Sequence, residues 1–234
     1  MSLAAEGETA ALNARLESAT AQERLAWAVK TYGASLLFTS SFGPGSGALL
    51  ALWAEVAKGL PVHFIDTGFL FDETLAYRDL LAEKLGLAVE VLKPELPRGA
   101  FLEKYGLTIY RDDSDACCAF NKVAPLQRAM PGKRAWVSGL RRDQGPTRAS
   151  TPIVLPTDGP TKVHPVADWS ARDVYQYMKA RDLPEHPLFE KGYVSVGCEP
   201  CTRPITPGED ERAGRWSGSA KTECGIHTFL TPKT

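Results

Sequence analysis

The chain has 234 residues and a formal charge of −1, from 27 Lys and Arg against 28 Asp and Glu. That balance gives no global basic field and argues against a nucleic-acid-binding protein. With 44% hydrophobic residues the chain can bury a core, and no apolar run approaches a membrane span. Met1 to Gly7 is small and acidic, without the basic and apolar regions of a secretory signal, so a cytoplasmic protein is expected.

From about Thr9 to Tyr32 the apolar residues recur at helical spacing, and Thr20-Ala21-Gln22-Glu23 reads as a capping box that starts a second helix. Ser35 to Ser40 is a short buried-strand pattern. It runs into a small-residue loop, Ser41 to Gly47, and then an apolar helix from Ala48 to Ala57. Pro61 to Asp66 reads as a second strand, Phe71 to Leu85 as an amphipathic helix and Ala88 to Leu92 as a third strand. A fourth strand, Ala135 to Leu140, leads into an arginine-rich loop. Thr157-Asp158-Gly159 marks a hairpin turn, and Asp173 to Arg181 a helix capped by Ser170. Strands alternating with helices predict a mainly parallel α/β sheet. After Leu183, Gly, Pro, Cys and Arg dominate and periodicity fades.

The five cysteines fall in three places: Cys117-Cys118, Cys198-Glu199-Pro200-Cys201, and Cys224 within Glu223-Cys224-Gly225-Ile226-His227. An odd count speaks against a complete disulfide framework. The four paired thiols have the ligand chemistry of a zinc site or an iron–sulfur cluster. They read equally as ordinary buried cysteines with a redox dithiol. Adjacent cysteines face one centre only from a turn or a helix end. Cys224 is a candidate nucleophile, with His227, Arg212 and Arg215 as sources of the positive charge that would favour its thiolate. Glu223 opposes that effect unless it holds His227 or a lysine.

Three strand ends carry further candidates. The loop at Ser40, Ser41, Phe42 and Gly43 can bring backbone N–H groups and a helix N-terminus to an anion, or be only a turn. Asp66, with Thr67 and Gly68, can hydrogen-bond a ribose or cap the next helix. Arg141, Arg142 and Arg148 can bind phosphate or sulfate, or form a solvated loop.

Taken in order, these segments resemble the assimilatory sulfonucleotide reductases, in particular the iron–sulfur adenylylsulfate (APS) reductases. The resemblance rests on Ser40-Ser41-Phe42-Gly43, Ile65-Asp66-Thr67-Gly68, Glu73-Thr74-Leu75 with Tyr77-Arg78, and Cys117-Cys118 with Lys122. It continues through Arg141-Arg142-Asp143-Gln144, Pro146-Thr147-Arg148, His164-Pro165, Asp168-Trp169 and His186-Pro187-Leu188. It ends with Lys191-Gly192-Tyr193, Gly197-Cys198-Glu199-Pro200-Cys201-Thr202 and Glu223 to His227.

The resemblance implies an adenine-nucleotide α-hydrolase-like fold, a twisted, mainly parallel sheet with helices on both faces and a modified PP-loop. Residues 1–213 would form this domain and 214–234 a mobile C-terminal tail. It implies a [4Fe–4S] cluster on Cys117, Cys118, Cys198 and Cys201. It also implies reduction of adenylyl sulfate to sulfite and AMP through an S-sulfocysteine on Cys224, with electrons from thioredoxin or glutaredoxin. Lys122, Arg212 and Arg215 would neutralise the sulfonate oxygens, and His227 would contact the nucleotide or orient the tail. Ser40 to Gly43, Asp66 to Gly68, Arg141, Arg142 and Arg148 would bind the nucleotide. No nucleic acid or membrane partner is implied, and a homo-oligomer stays open. The chain departs from the family pattern after Gly43, where Pro44-Gly45-Ser46-Gly47 replaces a small residue and two acidic ones. Two rival readings remain: a 3′-phosphoadenylylsulfate (PAPS) reductase with a cluster, and a zinc- and nucleotide-binding redox sensor.

Overall fold

The computed structural model of the protein describes residues 3–219 and 221–230, with side chains from residue 6 onward. The first two residues of the acidic N-terminal segment, Ala220 and the last four residues of the tail lie outside the described residues.

Two helices, α1 (Leu3–Glu17) and α2 (Ala21–Tyr32), precede the sheet, and Thr20 caps α2 through the predicted reciprocal box with Glu23. The strands are β1 (Leu36–Phe38), β2 (Val62–Ile65), β3 (Val89–Leu92), β4 (Ala135–Val137), β5 (Val154–Leu155) and β6 (Thr161–Val163). β1, β4 and β6 pair in parallel, and β5 runs antiparallel on β6 across the predicted turn. β2 pairs in parallel with β3, and the Thr39–His63 bridge joins that pair to β1. The order across the sheet is therefore β3-β2-β1-β4-β6-β5.

The strands alternate their side chains between two buried layers, as the pleat requires. Leu36, Phe38, Ala135 and Val137 pack under α2, α3 (Ser46–Val56) and α4 (Asp72–Leu85). Leu37 and Trp136 point the other way, onto Leu126 of α8 (Ala124–Ala129). Helices thus cover both faces. Between β3 and α8 lie α5 (Arg98–Tyr105), α6 (Ile109–Asp112) and α7 (Ser114–Cys118). α9 (Ala171–Ala180), capped by Ser170, packs on α3. No helix among the described residues is long and apolar enough to cross a membrane.

The N-terminal helices are fixed to the sheet edge by Arg24, which is 1% exposed. Its guanidinium pairs with Asp168 and donates to the carbonyls of Leu16 at 2.8 Å, Glu17 at 3.0 Å and Pro165 at 3.0 Å.

Two buried histidines tie late segments to the core. His164 Nδ1–H donates to the Pro152 carbonyl at 2.8 Å, and His186 Nδ1 accepts from the Leu188 N–H at 3.2 Å. Burial lowers both, each from 6.5 to about 4. A depressed folded-state value means the stabilisation is present above 6.5 and is lost as pH falls toward 4. Each histidine should therefore cost about 2 kcal/mol of stability between pH 7 and pH 5. Urea midpoints at the two pH values check this: the midpoint falls at pH 5 in the wild type and falls less in His164→Gln.

Candidate active site

The C-terminal ends of β1, β2 and β4 open into one cavity, the usual ligand position of an open α/β sheet. Its wall carries Ser40, Ser41 and Gly43 after β1, Thr67 after β2, and Arg141 and Arg148 after β4. Lys122, Arg212, Arg215, Cys224 and His227 close it from the other side. The fold thus brings eleven of the fifteen candidate catalytic and nucleotide-binding residues to one place.

Four candidates go elsewhere. Phe42 is fully buried against Phe64, ring centroids 5.6 Å apart, and at φ 49° it turns the chain back after β1. Asp66 Oδ1 accepts the Gly68 N–H at 3.0 Å, so the carboxylate caps its own turn, and Gly68 supplies the left-handed φ of 74°. Arg142 is corrected as an anion ligand, because its guanidinium points outward to Glu17 and donates to the Thr151 carbonyl at 2.8 Å.

The remaining arginines divide by counter-ion. Arg141 pairs with Asp143 at 2.9 Å and with Glu211 at 2.9 Å. Arg148 holds both oxygens of Glu223 at 2.6 Å, and Arg212 adds a third contact at 3.2 Å. Glu223 therefore binds two arginines, neither His227 nor a lysine, and seats the segment that carries Cys224. Arg215 pairs with no carboxylate among the described residues. Its Nε and the Trp216 Nε1 are buried donors with no acceptor. Orphaned buried donors are rare, so Arg215 and Trp216 keep donor capacity to spare at this wall. The Arg215 guanidinium lies 4.5 Å from the Trp216 ring and crosses directly over Gly197.

His227 differs from its sequence reading. Burial, then Arg148, His164, Lys162 and Arg212, hold it well below its ordinary value. It is a neutral ring, nearly parallel to Trp136 at 5.8 Å, and does not supply the cation for Cys224. Lys162 of β6 donates to the His227 carbonyl at 2.9 Å and reaches the Leu230 carbonyl at 3.5 Å. This contact was not legible in the sequence, because a lysine in a strand carries no local mark of its target.

Beside the cavity, Cys117, Cys118, Cys198 and Cys201 line a small pocket with Phe69, Tyr110 and Asn121. Cys117 and Cys118 end α7 and lead into a π turn, Ala119–Val123, a wider coil often found at functional sites. The predicted helix end is what lets both thiols face one centre. Asn121 donates its amide to the Cys117 carbonyl at 3.0 Å, with the sulfur 3.7 Å away. The Thr67 hydroxyl lies 3.3 Å from Cys198 Sγ. Burial and the thiols of Cys118, Cys198 and Cys201 push Cys117 up to about 12. Burial and Cys198 also raise Cys201. All four are free thiols, and no three His, Cys, Asp or Glu among the described residues surround a single-ion position.

Lys122, from the π turn, belongs to the walls of both pockets. Burial works against its charge, but Cys198, Cys118 and Cys224 outweigh it and hold the ammonium well above its ordinary value.

The fold and site together define an adenine-nucleotide α-hydrolase-like protein with a thiol at a cationic anion site. The chain belongs to the phosphoadenosine phosphosulfate reductase family, whose domain model matches residues 35–204. It is 47% identical over 189 residues to an adenosine 5′-phosphosulfate reductase from Mesorhizobium japonicum, covering 80% of this chain and 74% of that one. It is 42% identical to a phosphoadenosine 5′-phosphosulfate reductase from Gloeobacter violaceus, covering 87% and 86%. The phosphate complex of the Candida auris phosphoadenylyl-sulfate reductase aligns with a TM-score of 0.73 at 27% identity, over 82% of this chain and 94% of that one. Candida glabrata FMN adenylyltransferase shares the fold alone, with a TM-score of 0.58 at 16% identity over 91% and 76%.

A Cβ at Gly197 would lie 2.1 Å from Arg215 Nη2, so Gly197→Ala must drive the guanidinium off its seat. We expect near-wild-type Tm and about tenfold weaker binding of inorganic sulfate, the cost of one charged hydrogen bond. Protection of Cys224 from alkylation by sulfate reads the affinity. An unchanged value would place the anion elsewhere.

Proposed function

We propose that the chain is a thiol-dependent reductase of adenylyl sulfate that uses Cys224 as nucleophile. One observation carries the reading: Cys224 shares a cavity with Lys122 and Arg215, two part-buried cations without carboxylate partners among the described residues. The incoming phosphosulfate, with one negative charge on its sulfonate and one on its phosphate, answers both. The Ser40–Gly43 loop and the N-terminus of α3 suit the nucleotide phosphate.

Cys224 Sγ attacks the sulfonate sulfur, an S–S bond forms, and the S–O bond to AMP breaks with its electron pair leaving on AMP. Lys122, Arg215 and Arg212 stabilise the charge on the oxygens during the displacement. A thiolate of thioredoxin or glutaredoxin then attacks Cys224 Sγ and expels sulfite with its electron pair. The donor's second thiol resolves the mixed disulfide, so two thiols supply the two electrons. Residues 214–234 act as the tail that must present Cys224 first to the nucleotide and then to the donor.

The four buried thiols suit a [4Fe–4S] cluster. They raise one another's proton affinity, a cost that bound iron removes, and they line one pocket together. Cys117, Cys118, Cys198 and Cys201 would hold it. When bound, the cluster with its four thiolates would carry net negative charge that keeps Lys122 an ammonium, and it would join α7 to the Cys198 loop. Lys122 would then set its own positive charge between the thiolates and the sulfonate.

The test is the intact mass of anaerobically purified protein after adenylyl sulfate without a thiol donor. One SO₃ adduct is expected, absent in Cys224→Ser. The relatives carry both substrate names, so PAPS is run beside it. An adduct with PAPS alone keeps the chemistry and changes the substrate, and none with either rejects the reductase. Iron and acid-labile sulfide are expected in the wild type and lost in Cys198→Ser. Stoichiometric zinc instead would favour the redox-sensor reading.

A further inference from the structure

One contact of the tail has no part in the proposed displacement. Lys221, three positions before Cys224, reaches α7 at Ser114, a residue of the thiol pocket's wall. Its ammonium donates to the Ser114 carbonyl at 2.9 Å and pairs with Asp115 at 2.7 Å, both in α7, the helix that ends in Cys117 and Cys118. Burial works against its charge, and Asp115 with the nearby Cys118 thiol holds the ammonium above its ordinary value. The Lys221 side chain is 7% exposed, whereas that of Asp115 is 88% exposed. An ion pair so open to water is worth little. The buried ammonium therefore depends on its backbone acceptor, the Ser114 carbonyl. The Trp216 ring, 5.6 Å away, covers it.

We propose that Lys221 is a positioning residue that ties the seat of Cys224 to α7, the helix that presents the Cys117 and Cys118 thiols. A docked tail then lays a positive charge against the metal-binding thiols, and a withdrawn tail removes it. The inference rests on the reading of Cys224 as a travelling nucleophile and of the four thiols as cluster ligands. Chain length enforces the coupling. Three residues span at most roughly 11 Å, so any longer excursion of Cys224 requires Lys221 to let go of α7.

The test uses anaerobically purified holoprotein as wild type, Lys221→Gln and Lys221→Arg. The rate of Cys224 alkylation by iodoacetamide, read by peptide mass, reports how often the tail leaves its seat. Resonance Raman bands of the iron–thiolate bonds, before and after that alkylation, report the charge at the thiols. Lys221→Gln should alkylate about tenfold faster, the loss of a charged hydrogen bond, and Lys221→Arg should restore most of the protection. The wild-type bands should shift on alkylation to the positions that Lys221→Gln shows from the start. Equal alkylation rates in wild type and Lys221→Gln overturn the proposal. Raman bands identical in both proteins and both states overturn it as well. Iron and sulfide are measured on the same samples. A wild type without them defeats the cluster reading, and the alkylation rates alone then decide whether Lys221 holds the tail.

Discussion

A buried ammonium between two sets of sulfur atoms organises this molecule. Lys122 stands in the wall shared by the thiol pocket and the nucleophile cavity. Burying a charge without a partner costs several kcal/mol. The groups that support Lys122 are Cys198, Cys118 and Cys224, one from each cysteine cluster of the chain. Three distant segments thus converge on the lysine. The π turn of Ala119–Val123 is the local device, since it follows the two cysteines directly and carries Lys122 on its wider coil.

The rest of the site balances charge around that lysine. Arg141 and Arg148 are each met by carboxylates, Arg141 by Asp143 and Glu211 and Arg148 by Glu223. These pairs fix the walls and leave the cationic surplus where Lys122 and Arg215 face Cys224. The loop that follows β1 lacks acidic residues, and a Cβ at Gly45 would come within 3.1 Å of Arg141 Nη1. Arg141 occupies the space a side chain there would need, with its counter-charges supplied from Asp143 and Glu211.

Local rules made the frame legible. Four strands, the capping boxes at Thr20 and Ser170 and the turn near Asp158 lie where their patterns put them. The thiol pair sits at a helix end, as adjacent thiols that face one pocket demand. Long-range choices were not legible. Arg141, Arg142 and Arg148 look alike in sequence, yet one faces Glu211, one Glu17 and one Glu223, each partner more than 65 residues away. His227 sits in a motif that invites a cation, and burial among arginines makes it neutral. The short helices between β3 and β4 have no amphipathic period long enough to announce them.

The grip of Lys162 on the end of the chain has a consequence of its own. It binds carbonyl oxygens of His227 and Leu230, not side chains. A main-chain acceptor is the same atom in every residue, so this contact counts positions instead of reading letters. Between β6 and Cys224, spacing is then what this contact fixes. The side chains at 227 and 230 do not enter it, while a residue inserted or deleted between Cys224 and His227 would shift Cys224 against the cavity wall.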